Sequence, residues 1–485
     1  MIRVLSVASE IFPLVKTGGL ADVVGALPGA LTPHGIIMHT LVPGYPSVLD
    51  KLSVSKTVLT EPDFFGGPAR VLSGESAGLN IFALDAPHLF GRAGNPYTAP
   101  GGRDWPDNPI RFAALSYAAF LVGAGAVETF TPDILHAHDW QAALTPAYVH
   151  FSDGSHPATV LTIHNLAFQG IAPPQLLQTL RLPQAAYTIE GVEFYGSISA
   201  LKAGLLYADR ITTVSPTYAA EICTPNDGMG LDGILRTRQN NLTGIVNGID
   251  TTIWDPSTDP SLPAPFSARS PGPKKRSKSE LQARFGLDSN DALLYGVVSR
   301  LSHQKGLDVL LECLDTLLGS GAQLAVLGSG DTVLQEGFLR AATANPGRIA
   351  VTLGYDEPLA HLIQAGADAI LVPSRFEPCG LTQLCALRYG TIPIVSRVGG
   401  LADTVIDANT AALAAKVATG LQFAPVTAEA LRGALIRTAT LWSRPEDWAT
   451  LRRNALRTDV SWTEPAKAYA KLYENLVGEK TLKSN

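Results

Sequence analysis

The sequence predicts an α/β protein of two doubly wound, Rossmann-like domains facing across a deep cleft, and three observations lead there. The chain has 485 residues, and a single hydrophobic core stops growing at about 250–300 residues, so two large domains are expected. Short apolar runs alternate with helical stretches through both halves of the chain. Between the halves, over 255–279, Pro256, Pro260, Pro263, Pro265, Pro271 and Pro273 interrupt the pattern.

The first series of runs is IRVLSVA from Ile2, TLVP from Thr40, NIFALD from Asn80, ILHAH from Ile134, TVLTIH from Thr159 and ITTVS from Ile211. Continuous Val, Ile and Leu runs suit strands buried on both faces. Their alternation with helix-like segments such as 110–127 predicts right-handed βαβ crossovers and a mostly parallel sheet. The proline-rich stretch reads as a connecting surface segment, and its basic cluster Lys274-Lys275-Arg276 as a solvated loop and helix start. Strands resume with ALLYGVVS from Ala292, AQLAVLG from Ala322, RIAVTLG from Arg348, AILVPS from Ala369 and TIPIVS from Thr391. The expected division is 1–250 for a first domain and 251–459 for a second.

Composition narrows the class of function. Hydrophobic residues make up 46% and charged residues 16%, which supports two compact cores. A formal net charge of -6 over this length suggests neither a nucleic-acid binder nor a polybasic membrane binder. Four cysteines without metal-type pairing in the first half point to a reducing compartment. The N-terminal apolar stretch is interrupted by Glu10 and Pro13, which is not the order of a signal peptide. No uncharged apolar run of about 18 residues occurs, so no membrane span is expected and the cytoplasm is the expected location.

In open α/β sheets ligands sit beyond the carboxyl ends of the strands, so the chemistry should lie in the loops that follow them. KTGGLADVVGALP from Lys16 joins a cation, the Gly18-Gly19 pair and a helix start with Asp22 in its first turn, a combination that suits a diphosphate. SRLSHQKGLD from Ser299 puts Arg300 and Lys305 on one loop, a guanidinium and an ammonium for a diphosphate leaving group. VPSRFEPCGLTQLCALRYG from Val372 sets Glu377 after a strand and opens a helix at Gly380-Leu381-Thr382, with amides and a hydroxyl for a distal phosphate. HAHDWQ and TIHNLAFQG place Asp139, His164 and Asn165 after strands, where they can hydrogen-bond a sugar and His164 can take part in acid–base work. His136 and His138 read as structural. With no companion cluster at ligand spacing, the His136, His138, Asp139 set is not read as a metal site.

Together the stretches SEIFPLVKTGGLADVVGALP, HAHDWQ, TIHNLAFQG, VNGID, SRLSHQKG, SRFEPCGLTQL and VGGLADTV resemble the bacterial glycogen synthase family, relatives of the plant starch synthases, over essentially the whole chain. The resemblance implies the GT-B fold, with the last helix, over about 460–485, crossing back to join the first domain. It implies a retaining transfer of glucose from ADP-glucose to the non-reducing end of an α-1,4-glucan such as glycogen, with no metal or other cofactor. By position it assigns Lys16, Gly18 and Gly19 to the donor's phosphate and sugar, and Arg300 and Lys305 to the departing ADP. Glu377, Cys379, Gly380, Leu381 and Thr382 would surround glucose, ribose and distal phosphate, and Tyr355 would pack on adenine. Asp139, His164, Asn165 and Asn247 would lie near the reacting glucose, His164 through its main-chain carbonyl as much as its imidazole. Glu10 and Asp22 would lie where the glucan approaches. Gln141 stands where many relatives have histidine, and Cys385 where the broader retaining group often has a second glutamate. A homo-oligomer is compatible with this resemblance. A relative with another donor or acceptor, or a silent glucan-binding scaffold, are the alternatives, and the intact Lys16, Arg300, Lys305 and Glu377 set weighs against the scaffold.

Overall fold

The computed structural model describes residues 1–484; Asn485, the end of the expected terminal helix, lies outside the described residues. The chain divides into two compact units, one of Met1–Asn247 with Trp462–Asn485 and one of Gly248–Ser461.

The first unit is built on a nine-stranded sheet. Its order is Leu242–Gly244, Arg210–Thr213, Ala158–Ile163, Ile134–His138, Ile2–Val7, Ile36–Pro43, Leu79–Asp85, Ala69–Ser76, Ser53–Glu61. The first seven pair in parallel. The last two close the edge as an antiparallel hairpin that the apolar runs did not reveal. Central strands such as Ile134–His138 and Ala158–Ile163 are buried at every position, as their unbroken apolar runs predict. The second unit has six strands, all parallel, in the order Ile349–Leu353, Gln323–Gly328, Leu294–Val298, Ala369–Val372, Ile392–Ser396, Leu421–Phe423. Both sheets start near their middle and turn back, which creates a switch point where neighbouring loops diverge. In the first unit it lies between Ile2–Val7 and Ile134–His138; in the second, between Leu294–Val298 and Ala369–Val372.

The terminal helix Thr463–Ser484 belongs to the first unit. Ala466, Tyr469, Ala470, Tyr473 and Leu476 recur at helical spacing and, with Trp462, are buried against Val4, Leu27, Met38, Ile134 and Val160. Tyr473 also reaches into the sheet, where its hydroxyl lies 2.7 Å from His136 Nδ1. His136 Nε2 lies 2.6 Å from Thr162 Oγ1, so both ring nitrogens are satisfied within the core. Tyr473→Phe leaves that buried nitrogen unpaired, and we expect a loss of about 1–3 kcal/mol in urea unfolding of this unit. An unchanged midpoint would contradict the packing account.

The proline-rich segment is not a loose surface connection. Trp254 stacks on His361 with ring centroids 3.8 Å apart. Asp259 Oδ2 accepts from Tyr389 Oη and lies 2.7 Å from His361 Nδ1. Nor is the basic cluster uniformly solvated. Lys275 and Arg276 are exposed at the start of the helix Lys274–Phe285, but Lys274 is buried and its Nζ donates to Ala365 O and Thr391 Oγ1, both at 2.6 Å. Burial pulls its pKa down to about 7. A lysine in a charge run can thus serve as an internal tie, and its neighbours in sequence hide this.

Candidate active site

In the first unit the loops after three adjacent strands, Ile2–Val7, Ile134–His138 and Ala158–Ile163, carry most of the expected residues. Lys16 Nζ donates to Asp22 Oδ1 at 2.9 Å and lies 5.2 Å from the centre of the Phe12 ring. The helix Gly19–Leu31 begins directly behind it. A Cβ on Gly18 would meet nothing within 4 Å. The protein's own packing therefore does not demand this glycine, and its bareness leaves the adjacent amides open to an approaching anion.

Glu10 follows the first strand, Ile2–Val7. It is 2% exposed, and its carboxylate accepts from the Thr17 amide, from Thr17 Oγ1 at 2.7 Å and from the Tyr97 hydroxyl. The two Thr17 bonds tie it to the loop that carries Lys16 and Gly18. Asp22, half-buried, is likewise engaged by Lys16.

Asp139 opens the short helix Asp139–Ala142 with φ of 55°, a left-handed conformation uncommon outside glycine. That turn brings its Oδ1 to the amides of His164 at 2.6 Å and Asn165 at 3.3 Å, so one carboxylate oxygen caps the neighbouring loop. Burial raises its pKa to about 7, opposed by the two amide bonds and aided by the charge of Glu10. His164 Nε2 lies 3.0 Å from His138 Nδ1, and the His138 and His136 ring centres are 4.2 Å apart. Burial lowers the pKa of both His164 and His136 to about 3, and that of His138 well below the ordinary histidine range. His164 is therefore a neutral hydrogen-bonding ring at ordinary pH. Asn165 Oδ1 accepts from Ala167 N at 3.0 Å. Asn247 is buried, and its Oδ1 has no hydrogen-bond partner among the described residues.

In the second unit a hollow opens at the switch point. Ser299, Lys305, Glu377, Gly380 and Thr382 are among its lining residues. Lys305 Nζ donates to Glu377 Oε2 at 2.6 Å, and Ser374 Oγ donates to the same oxygen at 2.8 Å. Gly306 makes this meeting possible. Its φ is +63° and a Cβ there would lie 1.9 Å from the Pro373 carbonyl oxygen, so the Lys305 turn rests directly on the backbone that leads to Glu377. Arg300 is exposed, and its guanidinium has no hydrogen-bond partner among the described residues. Cys379 is buried behind the turn, Gly380 takes a φ of +74°, and the helix Thr382–Arg388 starts at Thr382 after Leu381. Tyr355 stands 75% exposed after the edge strand. Among the described residues no group of three or more His, Cys, Asp and Glu side chains could hold a metal ion.

Comparison with known proteins follows this geometry. A family profile described as starch synthase catalytic domain matches residues 3–237, and one for group 1 glycosyl transferases matches residues 278–454. The glycogen synthase of Rhodopseudomonas palustris (strain BisA53) is 59% identical over 481 residues, covering 99% of this chain and 98% of that protein. The chain belongs to the glycogen synthase family. The glycogen synthase of Methylocella silvestris is 60% identical over 480 residues, covering 99% of each. The catalytic domain of Starch Synthase IV from Arabidopsis thaliana, solved bound to ADP and acarbose, is 31% identical with a TM-score of 0.88 over 98% of this chain and 99% of that one. A sucrose-phosphate synthase from Thermosynechococcus elongatus, 18% identical with a TM-score of 0.61 over 99% of this chain and 100% of that one, shares the fold. This member of the glycogen synthase family is accordingly a glycosyltransferase of the GT-B fold.

Three residues that shape the site escaped the sequence reading. Ser374 and Gln383 are fully buried. Gln383 Nε2 donates to the carbonyls of Cys379 at 2.9 Å and Gly380 at 2.8 Å, which fixes the turn before Thr382. Tyr97, from a loop far along the chain, completes the Glu10 network. Serine, glutamine and tyrosine carry no charge pattern, and only their position inside the quoted motifs could have drawn attention to the first two.

Proposed function

We propose that the enzyme transfers glucose from ADP-glucose to the non-reducing end of an α-1,4-glucan, with retention at the anomeric carbon. The observation that carries this reading is the hollow in the second unit, where Lys305 and Glu377 meet beside the turn at Gly380–Thr382. The starch synthase bound to ADP and acarbose supports it. Arg300, Lys305 and the amides at Gly380–Thr382 hold the diphosphate charge as it develops, and Tyr355 packs on the adenine. Glu377 and Cys379 border the sugar and ribose. Within the first unit, Lys16, Gly18 and Gly19 suit an anionic phosphate, and Asp139, His164, Asn165 and Asn247 suit a sugar.

Lys305 and Ser374 bond one oxygen of Glu377, and two amides bond Asp139 Oδ1, an arrangement that supports a reaction without a carboxylate nucleophile. The glucan 4-hydroxyl therefore attacks the anomeric carbon from the face that ADP leaves. The bond from that carbon to the diphosphate breaks, and the hydroxyl proton passes to the departing phosphate oxygen. A cytoplasmic location belongs to the same reading, supported by four cysteines that are all free thiols.

The test is nucleoside diphosphate release from ADP-glucose and from UDP-glucose, each with and without glycogen. Release from ADP-glucose that requires glycogen is expected. Preference for UDP-glucose would overturn the donor assignment, and no release from either would make the chain a glucan-binding scaffold.

A further inference from the structure

Among the described residues only three aromatic side chains are exposed, Phe168, Tyr195 and Tyr355. Tyr355 already has a role. Phe168 lies in the loop that follows Ala158–Ile163, and Tyr195 belongs to a small antiparallel sheet of the first unit, formed by Ile171–Ala172, Ser197–Ser199 and Glu193–Phe194. Tyr195 is the more exposed, at 83%.

Its position is costly to the backbone. Phe194 pairs with Ser197, so Tyr195 and Gly196 alone form the hairpin turn, with φ of 48° and 80°. Positive φ at both central residues is the pattern of a type I′ turn, for which Asn-Gly is the favoured pair. A tyrosine in the left-handed region costs about 1 kcal/mol, and a ring left in water regains little of it by burial.

The turn is nonetheless held firmly. The Glu193 carboxylate accepts from Gly196 N at 2.6 Å, and the Tyr187 hydroxyl donates to Gly196 O at 3.1 Å. Below it, buried Lys202 donates from Nζ to Ile189 O at 2.6 Å and Glu193 O at 2.5 Å. The Tyr195 ring meets Phe194 edge to face with centroids 4.7 Å apart. It also borders Gly230, where a Cβ would lie 3.3 Å from the ring. Gly230 belongs to the NDGMGLDG stretch, for which the proposed function has no use. That stretch is tied to the site loop by Gln169, whose Nε2 donates to Met229 O at 3.0 Å. Gln169 lies one short turn beyond Asn165.

We infer that the Tyr195 hairpin is a holding platform for the α-1,4-glucan, outside the residues that act on the transferred glucose. The inference rests on the proposed function for the identity of its ligand. A glucose ring presents an apolar C–H face rimmed by hydroxyls, which suits a rigid aromatic ring surrounded by polar groups. Glu190 and Thr188 are exposed beside Ile189 in the turn that precedes the hairpin, so the patch is too interrupted by polar groups for the apolar centre of a stable dimer. A polymeric acceptor extends beyond its reacting end, and the continuity from Asn165 through Gln169 to Met229 and Tyr195 gives it a path.

The experiment compares full-length wild type with Tyr195→Asn and Tyr195→Phe. Initial rates are taken with glycogen and with a short maltooligosaccharide at saturating ADP-glucose. Migration in native gels containing glycogen, light-scattering mass and thermal midpoint are measured alongside. Tyr195→Asn should raise the KM for glycogen roughly fivefold and weaken retardation by the glycogen gel. It should leave kcat, the KM for ADP-glucose and the use of the short acceptor unchanged, with a thermal midpoint equal or higher because asparagine suits the turn. Tyr195→Phe keeps the ring and should stay near wild type. An unchanged glycogen KM and gel retardation in Tyr195→Asn would overturn the platform, and so would a drop from oligomer to monomer with glycogen affinity intact. If wild type shows no glucan-dependent transfer, the proposed function fails instead, and the gel still reports whether Tyr195 binds glucan.

Discussion

Lys305→Ala is expected to lower kcat by about two to three orders of magnitude while the KM for glucan stays within about twofold of wild type. The magnitude follows from where the charge is needed. Negative charge builds on the leaving diphosphate only as its bond to glucose stretches, so an ammonium aimed there stabilises the transition state more than the bound donor. The structure adds a complication, because Lys305 Nζ lies 2.6 Å from Glu377 Oε2. A skeptic could hold that lysine merely neutralises a buried carboxylate. The double variant Lys305→Ala, Glu377→Gln separates the two roles. If neutralisation were the whole function, removing both charges would restore turnover. If lysine holds the diphosphate, the double variant stays as slow as Lys305→Ala or slower. Steady-state rates of ADP release on the three proteins decide between them, and restored turnover would sink the leaving-group role.

The parts of this molecule that could be read from sequence share a physical property. Strands buried on both faces must be continuous apolar runs, so Ile134–His138, Ala158–Ile163, Leu294–Val298 and Ala369–Val372 announce themselves, and the loops after them can be searched for chemistry. The edge hairpin Ser53–Glu61 and Ala69–Ser76 could not be found that way. Its first strand is exposed at most positions, and its residues carry no alternation. The two- and three-residue strands around Tyr195 are shorter than any periodic signal. Charged residues misled where burial reverses their meaning. The Tyr97 hydroxyl that bonds Glu10 comes from a loop remote in sequence. Lys274 sat in a run of cations, yet it alone turns inward. Asp139 was recognised as important without any hint of its backbone conformation, since no local pattern says that a non-glycine residue will adopt positive φ.

That conformation and its burial make Asp139 the site of the second large effect. The carboxyl is raised from 3.8 to about 7 by burial, so it binds its proton more tightly in the folded chain than in the unfolded one. Between about pH 4 and pH 7 the folded state carries the extra proton. Stability falls as pH rises through that window, and the full penalty is present above it. In Asp139→Asn the amide has nothing to ionise, its carbonyl oxygen can still accept from the His164 and Asn165 amides, and asparagine tolerates positive φ. We therefore expect Asp139→Asn to melt about 3 °C or more above wild type at pH 8, with the difference shrinking towards pH 5. Turnover should nevertheless fall at least a hundredfold or so, because positive charge developing on the reacting sugar loses the carboxylate beside it. Wild-type kcat/KM should rise with pH through about 7 as that carboxylate forms, and the variant should lack this limb. Calorimetry at the two pH values and a pH–rate profile test both halves. A variant that is less stable at pH 8, or that retains wild-type turnover, would show that Asp139 serves the fold and not the reaction. A gain in stability joined to a loss of activity is the signature of a charge kept in an unfavourable place for the sake of the chemistry.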